Sequence, residues 1–184
     1  VDRQVYRKRH LVPFGEYFPV PPNVREWMAM LSLPHKDLSA GDDEQPLIRM
    51  LDGTALAVAI CYKDAYAAEM LYAFPEAGLL INVSNDAWFG DSLAPHQHLE
   101  MARMRARETE RYVLRATNTG ISAIIDANGA LLVRSRQFES VTVSGDVQPR
   151  AGATPYVLWG NWPVVLASLA VFLLAGRIPT ASPV

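Results

Sequence analysis

Two short uncharged runs constrain this chain more than any other feature. Leu56 to Cys61 carries no charge over six residues and gives way at once to Tyr62-Lys63-Asp64; Gly78 to Ser84 is uncharged over seven and runs into Asn85-Asp86. Runs of this length, apolar throughout and bounded by polar residues, read as strands buried on both faces. Between them, Asp64 to Phe74 has helical spacing at Ala65, Ala68, Leu71 and Tyr72. Strand, helix and strand in this order predict a βαβ unit, whose two strands run parallel and end on the same edge of the sheet. In open α/β sheets, ligands and reacting groups collect at the carboxyl ends of strands. Cys61, the only cysteine, stands on such an end.

The flanking segments extend this α/β plan. Val1 to Lys8 alternates and predicts a strand that ends in basic residues. Leu11 to Pro19 holds three breakers in seven residues, Pro13, Gly15 and Pro19, and predicts an ordered apolar loop. Pro21-Pro22-Asn23 opens a short helix with Val24, Trp27, Met28 and Leu31 on one face, over by Pro34. His35 to Pro46 reads as a solvated loop. Leu47 to Leu51 and Leu56 to Ile60 flank Asp52-Gly53, a hairpin signal. His96 to Tyr112 is the strongest helix, with Glu100 placed to pair with Arg103. Strands are predicted over 113–116, 121–126, 130–133 and 140–147, with Asn128-Gly129 as a turn.

The 184 residues allow one sizeable core, residues 1–150, followed by a compositionally distinct stretch, 151–184. A net charge of −2 with mixed signs argues against a nucleic-acid surface. Val157 to Gly176 is 20 residues without a charge, with Tyr156, Trp159 and Trp162 at one end and Arg177 at the other. That pattern predicts one transmembrane helix with an aromatic belt, Arg177 on the inner side and the folded domain outside. The chain opens at Val1 with no export segment before its first motif, which predicts a piece of a longer protein.

A free thiol is largely protonated at neutral pH, so a nucleophilic Cys61 needs a neighbouring cation that stabilises its thiolate and then the oxyanion of an attacked carbonyl. Lys8, at the end of the amino-terminal arm beside the constrained loop, is the candidate. A lysine in a basic run is otherwise a solvated surface group, and a lone thiol a small core residue. Glu16, a charge inside the apolar loop, is either a brace for that loop or a carboxylate that holds Lys8 charged. His10 offers an alternative as a base for Cys61, and the sequence leaves the two schemes side by side. His96 and His98, spaced i, i+2, fall on different sides of a helix and lack a third ligand at suitable spacing, so no metal site is expected.

Several motifs together carry a family resemblance: YRKRHLVPFGEYFP (6–19), ICYKD (60–64), INVSNDAWFG (81–90), HQHLEMARMRARETERYVLRATNTGISAIIDANG (96–129) and TPYVLWGNWP (154–163). With them the chain resembles the carbon-nitrogen hydrolase (nitrilase) superfamily, and within it the carboxy-terminal part of the apolipoprotein N-acyltransferases. The resemblance implies an α/β fold, part of an αββα sandwich, followed by the transmembrane helix. It implies a Glu-Lys-Cys triad in which Lys8 and Cys61 match the lysine and the nucleophile, with Glu16 matching a second glutamate near the triad. Tyr62 matches a position beside the thiol and Trp88 one near the substrate entrance; Phe14 would face lipid or an acyl chain. The triad glutamate lies upstream of these motifs in the family, as do further membrane helices. No cofactor is implied. The partners implied are a membrane phospholipid as acyl donor and a diacylated apolipoprotein as acceptor, at a bacterial inner membrane with the catalytic domain on the periplasmic side.

One position departs from the family pattern, which usually has Glu directly after Cys-Tyr. Here that residue is Lys63, followed by Asp64, so either Asp64 supplies the acid by a small shift or the site is altered. Two rival readings remain at this level: a soluble nitrilase-type amidase that uses water as acceptor, and an inactive membrane-bound remnant that binds lipid or a partner.

Overall fold

A computed structural model describes residues 3–31 and 38–175 of the chain. One mixed sheet of six strands, in the order β1 to β6, organises them. The strands are β1 (Ile48–Arg49), β2 (Ala55–Ile60), β3 (Leu79–Ser84), β4 (Tyr112–Thr117), β5 (Ala123–Ile125) and β6 (Leu131–Arg134). The two uncharged runs are β2 and β3, paired in parallel with Leu56 opposite Leu79 and Ile60 opposite Val83. β4 continues the parallel set, while β1, β5 and β6 pair antiparallel through hairpins. The carboxyl ends of β2, β3 and β4 therefore lie side by side on one edge.

α2 (Ala94–Thr109) packs against this sheet through Leu99, Ala102 and Ala106, which join Ala57, Ala59, Leu80, Val113 and Ile125 in the core. Small residues at 102 and 106 let helix and sheet approach closely, and each large aliphatic side chain buried there contributes about 1.5–3 kcal/mol. The helix ends at Glu110, whose left-handed backbone (φ 50°) turns the chain into β4. α1 (Pro22–Met30) forms where the proline pair signals it. Pro34 and residues 35–37 of the expected polar loop lie outside the described residues.

The structure departs from the sequence expectations at several points. The αββα sandwich is represented by a single sheet, and no second sheet occurs among the described residues. The amino-terminal arm is extended but is not a strand. Its backbone is held by side-chain amides that stand in for a neighbouring strand: Gln4 exchanges two hydrogen bonds with the backbone of Arg49 (2.9 and 2.7 Å), and Gln45 two with that of Arg7 (both 2.9 Å). Asp64 to Phe74 is not an α-helix but two 3-10 turns, Cys61–Ala65 and Ala67–Ala73, joined at Tyr66. Residues 140–147 form no strand among the described residues; the chain there crosses the sheet face, with Gly145 against Ile124 and Val133.

The uncharged run 157–176 is likewise not one helix. α3 (Pro155–Trp159) stops at Gly160, whose φ of 56° breaks the spiral, and α4 (Trp162–Ala175) starts afresh after Asn161. The 14 residues of α4 extend about 21 Å, short of a bilayer core of about 30 Å. Among the described residues no helix is long and apolar enough to cross a membrane. Arg177, the expected inner anchor, lies outside them.

Candidate active site

Cys61 follows directly on β2 and takes a left-handed backbone conformation, φ 57°. For a residue with a side chain this costs on the order of 1–2 kcal/mol, and it persists only where surrounding contacts enforce it. Those contacts come from the strand ends. Asn82 of β3 donates from Nδ2 to the carbonyl oxygen of Cys61 at 3.1 Å, and its Oδ1 accepts from Arg115 Nη1 of β4 at 2.5 Å. The arrangement leaves the thiol partly exposed at the sheet edge.

Beneath the turn lies a closed charge network that the sequence reading did not anticipate. Asp64, Asp86, His98 and Arg115 are all buried. His98 meets Asp64 Oδ1 through Nε2 (2.9 Å) and Asp86 Oδ1 through Nδ1 (3.1 Å). Arg115 reaches Asp64 Oδ2 at 3.4 Å and Asp86 Oδ2 at 2.9 Å. Carboxylates can only accept here, so both imidazole nitrogens must donate and His98 is an imidazolium. Burial works against that cation, but the bonds to Asp64 and Asp86 outweigh it and push His98 up to about 9. For Asp86, burial favours the neutral acid, yet the bonds from His98 and Ser84 and the charge of Arg115 hold it below the usual carboxylate range. Two anions and two cations balance, which is what makes a buried cluster of this size tolerable. Asn82 and Arg115 are polar residues inside otherwise apolar strands, and that was the available signal.

Lys8 and Glu16 are brought together. Lys8 Nζ donates to both oxygens of Glu16 (2.7 and 2.6 Å), with the lysine side chain only 10% exposed. Glu16 Oε2 also accepts from the backbone N–H of Val12 at 2.8 Å, so the carboxylate is both brace and counter-ion. Val12 in turn accepts from the backbone N–H of Gly15 and Glu16, which closes the loop tightly around them.

The arm bearing Lys8 docks on the 3-10 turns that follow Cys61. Within the second turn Glu69 and Tyr72 stand on one side, because side chains at i and i+3 eclipse in a 3-10 helix. His10 stacks on Tyr66 with ring centroids 4.3 Å apart and pairs with Glu69 at 3.1 Å. His10 also meets the Tyr62 ring edge-on at 6.4 Å. The Arg9 guanidinium sits 5.1 Å over the Tyr72 ring, and Lys63 donates to the Tyr6 hydroxyl.

Tyr62 lies at the same surface, its hydroxyl 3.2 Å from that of Tyr66; this hydrogen bond and burial push it up to about 12. Phe14 and Trp88 are 69% and 74% exposed, Phe14 on a left-handed backbone at the loop tip and Trp88 in the 3-10 turn Asp86–Phe89. The Asp64 carboxylate is turned inward onto His98 and Arg115. Among the described residues no three His, Cys, Asp or Glu side chains are arranged to hold a metal ion.

The structure thus sets the half-buried Cys61 at the end of a parallel strand, and the arm that carries the Lys8–Glu16 pair docks on the turns that follow it. The chain belongs to the carbon-nitrogen hydrolase family, whose model matches residues 2–156. It is similar to proteins named apolipoprotein N-acyltransferase: 51% identical over 160 residues to that of Methylococcus capsulatus, covering 87% of this chain and 32% of the relative. To the Nitrosomonas europaea protein of the same name it is 48% identical over 180 residues, 97% of this chain and 36% of the relative. The chain thus spans about a third of the length of these curated relatives. Among solved structures, the C. elegans NitFhit protein shares the fold with TM-score 0.50 and 21% identity, over 72% of this chain and 31% of that one.

Proposed function

We propose that this chain carries the nucleophile of an N-acyltransferase that moves an acyl chain from a membrane phospholipid to the amino terminus of a diacylated apolipoprotein. The relatives' names support the reaction class. The observation that carries the residue assignment is the docking of the Lys8 arm, locked by Glu16, onto the turn that presents Cys61.

In this reading the Cys61 thiolate attacks the ester carbonyl carbon of the phospholipid and a C–S bond forms. The Lys8 ammonium, paired with Glu16, faces the oxyanion. The C–O bond then breaks, and the lysophospholipid oxygen leaves with the proton that the Cys61 thiol gave up to the family glutamate on forming its thiolate. The α-amine of the diacylglyceryl cysteine attacks the thioester, a C–N bond forms, the C–S bond breaks and the thiolate returns. The amine's proton passes to a base, the role of the family glutamate that precedes these motifs. No metal or cofactor enters this chemistry.

Lipid contact is the second part of the proposal. α4 is apolar around its whole circumference, with Val164, Val171, Phe172 and Leu174 all more than 60% exposed. A helix apolar on every side is a lipid-facing or buried one, and the aromatic pair Trp159 and Trp162 stands at its start. Seated in lipid, it would serve as the membrane anchor, with Phe14 and Trp88 as lipid-facing side chains and Tyr62 beside the acyl group. The location would be a bacterial inner membrane, with the domain on its periplasmic side.

The test is acyl labelling of the intact protein in phospholipid vesicles. A hydroxylamine-sensitive adduct is expected on Cys61, and Cys61→Ala and Lys8→Ala should each abolish it. Persistent labelling of Cys61→Ala would refute the nucleophile. Rapid release of small amides to water, without transfer to an apolipoprotein peptide, would point instead to an amidase.

A further inference from the structure

We infer that Lys63 is a positioning residue, a clasp that ties the turn carrying Cys61 to the arm carrying Lys8. The inference rests on the Lys8–Cys61 pairing proposed above and concerns what holds the two at a working distance.

Lys63 is fully buried two residues after Cys61. Among the described residues no carboxylate lies within ion-pair distance of its ammonium group, since Glu69 is engaged by His10. Instead Nζ donates to the hydroxyl of Tyr6 and faces two aromatic rings, Tyr6 at 5.1 Å and Tyr72 at 5.3 Å. Burial, reinforced by the nearby charge of Arg9 and only partly offset by that of Glu69, pushes Lys63 down to about 8. An ammonium group taken out of water without a counter-ion is unfavourable, and a methionine would fill similar space without that cost. Stability therefore does not account for a lysine here.

A directional link does. The Tyr6–Lys63 bond joins segments 57 residues apart. In an extended chain Tyr6 and Lys8 project to the same side, about 7 Å apart, so fixing one fixes the other. The side-chain hydrogen bonds of Lys8 end on Glu16, and its carbonyl accepts from Gly41; neither reaches the Cys61 turn. Its place relative to the thiol must come from its neighbours. Arg9 and His10 anchor chiefly to Tyr66, Glu69 and Tyr72, beyond the break between the two 3-10 turns; His10 meets the first turn only at the Tyr62 ring, 6.4 Å away. Tyr6 is the arm residue hydrogen-bonded to the same turn as Cys61. The cation that replaces the family's usual carboxylate is thus turned away from the chemistry and onto the scaffold.

The test follows the alkylation of Cys61 by iodoacetamide against pH, read by peptide mass spectrometry in the intact protein, together with the rate of acyl-adduct formation. Lys63→Met should fold with an unchanged or higher thermal midpoint. Its alkylation profile should nevertheless differ from that of the wild type in the same direction as that of Lys8→Ala, with acylation slowed about tenfold or more. Tyr6→Phe keeps the ring and removes only the hydroxyl, so both effects should be smaller and in the same direction. Wild-type profiles in both variants, with Lys8→Ala still shifted, would overturn the clasp and leave the pairing standing. An unshifted Lys8→Ala profile would sink the pairing and the clasp with it. If Lys63→Met fails to fold, Tyr6→Phe decides alone.

Discussion

The buried His98 network makes stability fall as pH rises across neutrality. His98 is raised from 6.5 to about 9 and is only 4% exposed, so its charged form contributes about 3 kcal/mol to folding. A group raised on folding gives its full contribution below its unfolded value and loses it as pH passes its folded one. Between pH 6.5 and 9 the native state holds one more proton than the unfolded chain, and the unfolding free energy drops by about 1.4 kcal/mol per pH unit. Lys63 acts in the opposite sense. It is lowered from 10.5 to about 8, so between those values the unfolded state holds the extra proton and stability rises with the same slope. The two cancel from pH 8 to 9. The profile should therefore fall by about 2 kcal/mol from pH 6.5 to 8 and then level off. Urea denaturation across this range, followed by tryptophan fluorescence, measures it. His98→Gln should abolish the decline, and Lys63→Met should extend it to pH 9. An identical slope in wild type and His98→Gln, or an imidazole that titrates near 6.5 by NMR, would refute the charged network.

Two further substitutions probe the same scaffold. Gly120→Ala would put a Cβ 2.1 Å from Asp86 Oδ2, so the carboxylate must leave Arg115 and His98; a loss of about 2–3 kcal/mol is expected in urea titrations, with the His98 imidazole titrating closer to its ordinary value. Arg111 is buried and donates to the carbonyls of Ala77 (2.7 Å), Thr109 (2.9 Å) and Gly152 (2.7 Å). Arg111→Met leaves these acceptors short of a donor, should cost about 3 kcal/mol, and should expose the segment around Gly152 to limited proteolysis before the sheet unfolds.

Much of the sheet was legible in the sequence because its signals are local. Uncharged runs marked β2 and β3, Asp52-Gly53 and Asn128-Gly129 marked the hairpins, and the capping pattern at Pro21-Pro22-Asn23 marked α1. The errors have local causes too. The expected helix over Asp64 to Phe74 misread a repeat of three as one of 3.6, and the amino-terminal arm alternates like a strand but is held by the amides of Gln4 and Gln45. At the candidate site, Lys8 and Glu16 were recognised from their motif, and the structure joins them in one ion pair. His98 was weighed only as a metal ligand, because nothing in the sequence connects it to Asp64, 34 residues away.

The sequence by itself determined the parallel pairing of β2 and β3, the cysteine at a strand end and the family, since uncharged runs, breakers and motifs are written along the chain. Only the tertiary structure decided which charges meet. Whether Asp64 serves as an acid or as a counter-ion, and whether Lys63 faces the thiol or the arm, depends on a left-handed turn at Cys61 and on side chains that converge from three strand ends and a helix. Such convergence is long-range, and burial then fixes the charges it brings together.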